Sequence, residues 1–185
     1  MIKVQAGTVG GCRNEVNAMW KIGDIVRYRN EDICRITDIR KERLTEEGEQ
    51  EYYILESIYN KRMTIYVETG DENSSISLPM DRNDVNGIID TIPDMAPEWI
   101  SNDKERQHAL ENTSRNGSIP DQMAAAVALH KEEEKLKKTG KKLRLVDQQF
   151  LTRFESVINH AFAFGIGAAP DDVPLYIQHR LNDRR

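Results

Sequence analysis

The chain changes its hydrophobic period once, at Leu78-Pro79. Before that point short runs alternate apolar and polar residues, and after it apolar residues recur at helical spacing. One chain with a strand-forming part followed by a helix-forming part predicts an α+β protein: a small antiparallel β-barrel, then a compact all-α unit. At 185 residues it is long enough to bury a real core without disulfide or metal. Hydrophobic residues at 38% and charged residues at 31% describe a folded chain in water.

The alternating runs are Asp24–Arg29, Ile33–Ile39, Tyr52–Ile58 and Met63–Val67, all rich in β-branched and aromatic residues. A fifth short strand is expected around Ile76–Leu78. Gly23-Asp24, Asn30-Glu31 and Asn60-Lys61 supply turns, and the charged stretch Lys41–Gln50 reads as a longer hairpin loop bent at Gly48. Ile33, Arg35, Thr37 and Ile39 alternate onto one face of their strand, with Cys34, Ile36 and Asp38 on the other. Residues 1–18 lack any period and carry Gly7, Gly10 and Gly11, so they read as a disordered lead-in. Met19 begins the patterned sequence and is the expected natural start, since Glu15-Val16 is compatible with an encoded ribosome-binding sequence. The expected division is therefore 1–18, 19–79 and 80–185.

Five helical segments are expected in the second part. Asp81–Asp90 presents Val85, Ile88 and Ile89 inward. A second helix starts at Pro97, with Glu98 near its positive end, and runs to about Thr113. A third begins at Ser118-Ile119-Pro120-Asp121 with Met123, Ala126, Val127 and His130 in one stripe, and Gly140 breaks it. Asp147 is the expected N-cap of the last long helix, which carries Phe150, Leu151, Phe154, Val157, Ile158 and Ala161 and stops at Gly165. Ala169–Leu181 forms one more short helix, weakened by Pro174.

Several function classes lose support. No apolar run reaches the ~18 residues of a membrane-spanning helix, and the first residues lack a signal-peptide layout, so a cytoplasmic protein is expected. Cys12 and Cys34 form no CxxC pair, and His108, His130, His160 and His179 have no ligand spacing, so neither a zinc site nor a disulfide framework nor any other cofactor is expected. His130 and His160 read as core or boundary histidines, and the Gly165–Ala169 stretch lacks the lysine of a phosphate loop. No nucleophile, base and orienting group stand together, so catalysis is not expected.

Two features carry binding chemistry. Lys135–Arg144 places Lys135, Lys137, Lys138, Lys141, Lys142 and Arg144 together with no acid, directly after Glu132–Glu134. In a chain of net charge -5 such a local patch is either a phosphate contact or a solvated loop partnered by the acidic run. Trp99, beside Asp103, Lys104 and Arg106, is either a core anchor or a wedge flanked by cations that suits a minor-groove edge.

These segments, taken in order, resemble the CarD/CdnL family of bacterial transcription regulators, closest to its clostridial-type branch. The markers are KIGDIVRY from Lys21, CRITDI from Cys34, EYYIL from Glu51, MTIYV from Met63, WISNDKERQ from Trp99, GKK at Gly140–Lys142 and VDQQFLTRFESVINHAFAFGIG from Val146. The chain departs from the family's pattern at Arg29–Asp32, at Glu68 and at Glu42. The resemblance implies a Tudor-like polymerase-interaction domain followed by a helical DNA-binding domain, with no catalysis. It implies docking on the RNA polymerase β subunit through Arg40, Lys41, Arg43, Thr64, Ile65 and Tyr66. It also implies promoter DNA contact, without sequence preference, through Trp99, Lys104, Arg106, Lys138, Lys141 and Lys142. The expected function is a monomeric regulator that stabilises the open promoter complex. The rivals are an adaptor that uses the barrel edge strand without touching DNA, and a free-standing nucleic-acid binder.

Overall fold

Each alternating run becomes a strand. The computed structural model describes residues 20–29, 32–45, 48–60, 62–70 and 76–183. Residues 1–18, the Asn30-Glu31 turn and Lys61 lie outside the described residues. Strands β1 (Ile25–Tyr28), β2 (Asp32–Thr45), β3 (Gly48–Ser57), β4 (Thr64–Glu68) and β5 (Ile76–Ser77) pair antiparallel in the order β4-β3-β2-β1-β5. Five α-helices follow: α1 (Arg82–Thr91), α2 (Asp103–Asn116), α3 (Ile119–Lys138), α4 (Leu145–Ile166) and α5 (Val173–Asn182). The α+β organisation is the expected one.

The stretch expected as a hairpin loop is mostly strand. β2 runs to Thr45 and β3 begins at Gly48, so only the tip of Lys41–Gln50 turns. Cross-strand pairing accounts for the extension, because Lys41 lies opposite Glu51 and Glu42 opposite Gln50. A bulge also breaks the expected alternation. Ile36 pairs with Leu55 and Asp38 with Ile54, which leaves Thr37 as the extra residue. Its hydroxyl donates to the Ile54 carbonyl at 3.2 Å, and the Asp38 carboxylate accepts from its neighbour's amide, Ile39 N, at 2.9 Å. The slip moves Ile39 onto the face of Cys34 and Ile36, where it joins Val26, Tyr53, Leu55, Val67 and Ile76 in the sheet core. Burial, with Asp32 nearby, pushes the Cys34 thiol up to about 12, so it acts as an apolar core group.

The helical core gathers the expected stripes. Leu151, Phe154, Ile158 and Ala161 of α4 are buried with Phe162, against Val85 and Ile89 of α1 and Ile119, Met123, Ala126 and Leu129 of α3. Burying each large side chain stabilises the fold by about 1.5–3 kcal/mol. Capping boxes at Asp81 and Ser118 start α1 and α3 where the sequence indicates.

Four boundaries differ from expectation. Pro97 and Glu98 lie in an irregular segment, because the Asn102 side chain accepts from Lys104 N and Glu105 N and caps α2 there. Asp147 stands in the first turn of α4, whose cap residue is Arg144; its carboxylate is engaged in the core instead. Helix α4 passes Gly165 and ends at Ile166, with Gly167 in the left-handed conformation (φ 72) that a helix stop requires. Pro174 stands in the first turn of α5, where no intrahelical donor is needed, so it starts that helix and does not weaken it.

The strand and helical parts pack on each other. The Tyr59 ring, after β3, stacks on His160 of α4 with centroids 4.5 Å apart and planes 14° apart. Ser57 Oγ accepts from Tyr59 N and Asn60 N and shapes that turn, and buried Ile33 accepts from Ile58 N beside it. His160 is thus a boundary residue. Nearby, Gly165 lets α4 approach the start of α1: a Cβ there would meet Val85 Cγ2 at 2.7 Å and the carbonyl oxygens of Met80 and Asp81 at 3.0 and 3.1 Å. Arg82 adds a hydrogen bond to the Ile166 carbonyl. Among the described residues no helix is long and apolar enough to cross a membrane.

Two glycines should therefore respond in opposite directions. Gly165→Ala costs about 1–3 kcal/mol of overpacking, more than the helix-propensity gain, and lowers the thermal midpoint. Gly87→Ala, in α1 with open space around it, raises stability by about 0.5–1 kcal/mol. Thermal and urea unfolding of both variants check the pair.

Candidate functional site

An arginine and an aspartate far apart in the sequence build the centre of the helical part. Arg106 lies one turn into α2 and is only 5% exposed; Asp147 in α4 is 3% exposed. Arg106 Nε and Nη2 donate to the two carboxylate oxygens of Asp147 at 3.1 and 2.9 Å, a bidentate pair. Nη1 donates to the Ile100 carbonyl at 2.8 Å, and Nη2 also reaches Asp103 at 2.7 Å. The guanidinium then lies over the Trp99 ring, 4.5 Å from its centroid. The hydrogen bonds that Arg106 donates to Asp147, and then to Asp103, hold its pKa above the ordinary value. Asp103 is held below the usual carboxylate range by its bond from Arg106 and by Arg144, which approaches at 2.8 Å.

This network joins the irregular Trp99 segment to the turn before α4. Trp99 is half-buried and packs against the helical core. It also forms a wall of a groove of about 490 Å³ between the 97–100 segment, α2 and α3, lined by Leu110, Ala125 and Ala128 among others. The tryptophan thus combines anchoring with partial exposure. It does not sit in the first turn of a helix, as a start at Pro97 would place it, and it meets Arg106 because the chain folds back.

The lysines divide into two sets. Lys135 and Lys137 pair with Glu132 and Glu133 at 3.1 and 2.9 Å, so the acidic run neutralises that half of the basic run. Such exposed pairs contribute at most about 1 kcal/mol. Lys138, Lys141 and Lys142 are exposed and make no ion pair among the described residues. Gly140, at φ 69, turns the chain between them. Lys104 is exposed at the start of α2, next to Asp103. Of the residues expected at DNA, only Arg106 points into the protein. Asp103 stood beside Arg106 in the sequence reading, whereas the partnerships that bring in Asp147, Arg144 and the Ile100 carbonyl were missed. Asp147 looked like a helix cap, and its true partner stands 41 residues away with no local pattern linking them.

On the sheet, among the described residues β4 pairs only with β3 and is an edge strand. Thr64 and Tyr66 are exposed on it, while Ile65 turns toward the sheet core. Tyr66 meets Tyr52 edge to face at 6.4 Å. Arg40, Lys41 and Arg43 are exposed on β2. Arg40 is bracketed by Glu42 at 2.8 Å and Asp38 at 3.4 Å, and Glu42 is the main cause of its raised pKa. The sheet thus carries exposed Tyr66 on its edge strand β4 and, two strands in on β2, a partly neutralised cation strip.

His130 is exposed and pairs with Glu155 at 2.9 Å across α3 and α4. Among the described residues no cluster of His, Cys, Asp or Glu could hold a metal ion. The groups on offer suit recognition: an edge strand bearing Tyr66, cations on β2, a half-exposed indole braced by Arg106, and exposed lysines.

The bracing is testable. Asp147→Asn removes the buried carboxylate of Arg106 and leaves it only the exposed Asp103, which should cost about 3 kcal/mol. Arg106→Lys cannot reproduce the bidentate fork and should also destabilise the fold. Urea unfolding measures both, and in a Trp20→Phe background the Trp99 emission should shift to the red as its cation lid is lost.

No curated protein matches the chain. Residues 20–80 match the family model of the CarD-like/TRCF RID domain, and that stretch contains all five strands. The domain is a protein-interaction domain and not a catalytic one. On that match the strand part is similar to the RNA polymerase-interacting domain of CarD-like transcription factors.

Proposed function

We propose that the protein docks on the β subunit of RNA polymerase through β4 and the neighbouring cations of β2, and stabilises the open promoter complex by gripping its upstream edge. Thr64, Ile65 and Tyr66 would extend a polymerase strand by edge pairing, with Arg40, Lys41 and Arg43 alongside. Trp99 would rest against the unstacked base step, with Lys104, Lys138, Lys141 and Lys142 on phosphates. Arg106 is a positioning residue in this scheme, since its guanidinium is buried among Asp103, Asp147 and Ile100. The protein acts as a monomer without cofactor and catalyses nothing.

The observation that carries this reading is the Arg106–Asp103–Arg144 network, which ties the Trp99 segment to the turn bearing Lys141 and Lys142. Wedge and phosphate contacts on one scaffold suit a distorted duplex. Unstacking costs a few kcal/mol, so weak contacts act mainly where polymerase has already opened the DNA. Docking on the enzyme raises their local concentration to roughly millimolar. That arrangement reconciles a DNA contact with a chain of net charge -5.

Open-complex lifetime with the cognate polymerase tests the scheme. Trp99→Ala should shorten it roughly tenfold while leaving polymerase binding intact. The double variant Lys141→Ala, Lys142→Ala should shorten it and reduce its salt dependence by about two charges. Tyr66→Ala should weaken polymerase binding itself. If the lysine and tryptophan variants keep the full lifetime while Tyr66→Ala loses binding, the protein is an adaptor without a DNA contact. If Trp99→Ala unfolds the helical part, the indole is a core anchor only.

A further inference from the structure

Among the described residues, Leu145 is the large apolar side chain with the greatest exposure, at 74%. A single exposed leucine is ordinary on a protein surface, and its neighbours decide whether it has a use. Leu145 is the first residue of α4 and directly follows Lys141, Lys142 and Arg144. Arg144 pairs with Asp103, which pairs with Arg106, which holds the Ile100 carbonyl. Ile100 is itself 37% exposed, beside Trp99. The Asp103–Arg144 ion pair therefore has an exposed apolar residue joined to it on either side: Ile100 through Arg106, and Leu145 through the chain.

We infer that Leu145 is a second apolar contact to promoter DNA, lying against the sugar and base edges while Lys138, Lys141 and Lys142 hold the flanking phosphates. The inference rests on the proposed grip at the promoter and extends it from the Trp99 segment to the start of α4. Charge chooses the occupant. The free cations around Leu145 favour a polyanion, and an apolar side chain among phosphate-binding lysines matches the way minor-groove proteins set wedges between cationic anchors. Folding gives no competing use for this leucine. It is mostly outside the core, and at a first helical position alanine serves the helix at least as well.

The distinguishing property is salt. Covering a leucine with DNA strengthens binding without releasing counterions, whereas a lysine changes the slope of affinity against salt. Open-complex lifetime is measured at several salt concentrations with full-length wild type, Leu145→Ala, Leu145→Met, Trp99→Ala and the Lys141/Lys142 double variant. The expected result is a roughly fivefold shorter lifetime for Leu145→Ala, with unchanged salt slope, unchanged thermal midpoint and unchanged affinity for polymerase alone. Leu145→Met should restore most of the lifetime.

A wild-type lifetime for Leu145→Ala, alongside shortened lifetimes for Trp99→Ala and the lysine variant, overturns this inference and leaves the proposed function standing. Loss of affinity for free polymerase in Leu145→Ala overturns it too, by making Leu145 a protein contact. Wild-type lifetimes in all of these variants overturn the proposed function, and the role of Leu145 falls with it.

Discussion

The helical part of this protein depends on one buried charge being fully partnered. Moving a guanidinium and a carboxylate out of water costs several kcal/mol per ion, and only close geometry offsets that cost. Here the geometry is close. Arg106 fits Asp147 through two parallel hydrogen bonds and directs its remaining donors to Ile100 and Asp103. A single side chain thereby fixes the relation of three segments: the irregular run through Trp99, the start of α2 and the start of α4. The hydrophobic core places these helices roughly, and the ion pair sets where the loop before α2 and the turn before α4 end up.

The same pair explains why a predominantly acidic chain can present a basic corner. Two of the lysines at the end of α3 are answered by glutamates one turn earlier. Arg144 and Arg106 are answered by Asp103 and Asp147. What remains at the surface is a small set of ammonium groups on a glycine turn, next to half-exposed apolar side chains. Local subtraction of charge, more than the total, determines what that corner can bind. The strand part shows a related economy, with Arg40 bracketed by acids while Lys41 and Arg43 stay clear among the described ion pairs.

Much of the architecture was legible because period is a local property. The aromatic and β-branched run Tyr52–Ile58 and helical spacing in Phe150–Ala161 each require only neighbours along the chain, and capping residues such as Asp81 and Ser118 announce helix starts by their own chemistry. What escaped is nonlocal. The bulge at Thr37 depends on the partner strand, and so does the long charged hairpin. Asp147 has the sequence signature of a cap yet serves a residue in another helix, and Gly165 looks like a stop while its real constraint is the approach of Met80 and Asp81. The residues of the candidate interface were visible by composition, but their division into inward Arg106 and outward lysines required the fold.

The stacking of the Tyr59 ring on His160 has a mechanical meaning. It puts a packed contact between the strand part and helix α4 where a free hinge would otherwise lie. A molecule that gripped polymerase through its strand part and the double helix through its helical part, across a packed joint, would sense twist as well as distance. Each base pair added between the two grips rotates the DNA by about a tenth of a turn. On the proposed mode of action such a body is a torsional gauge, most effective on promoters whose upstream edge presents its groove at the angle the joint dictates.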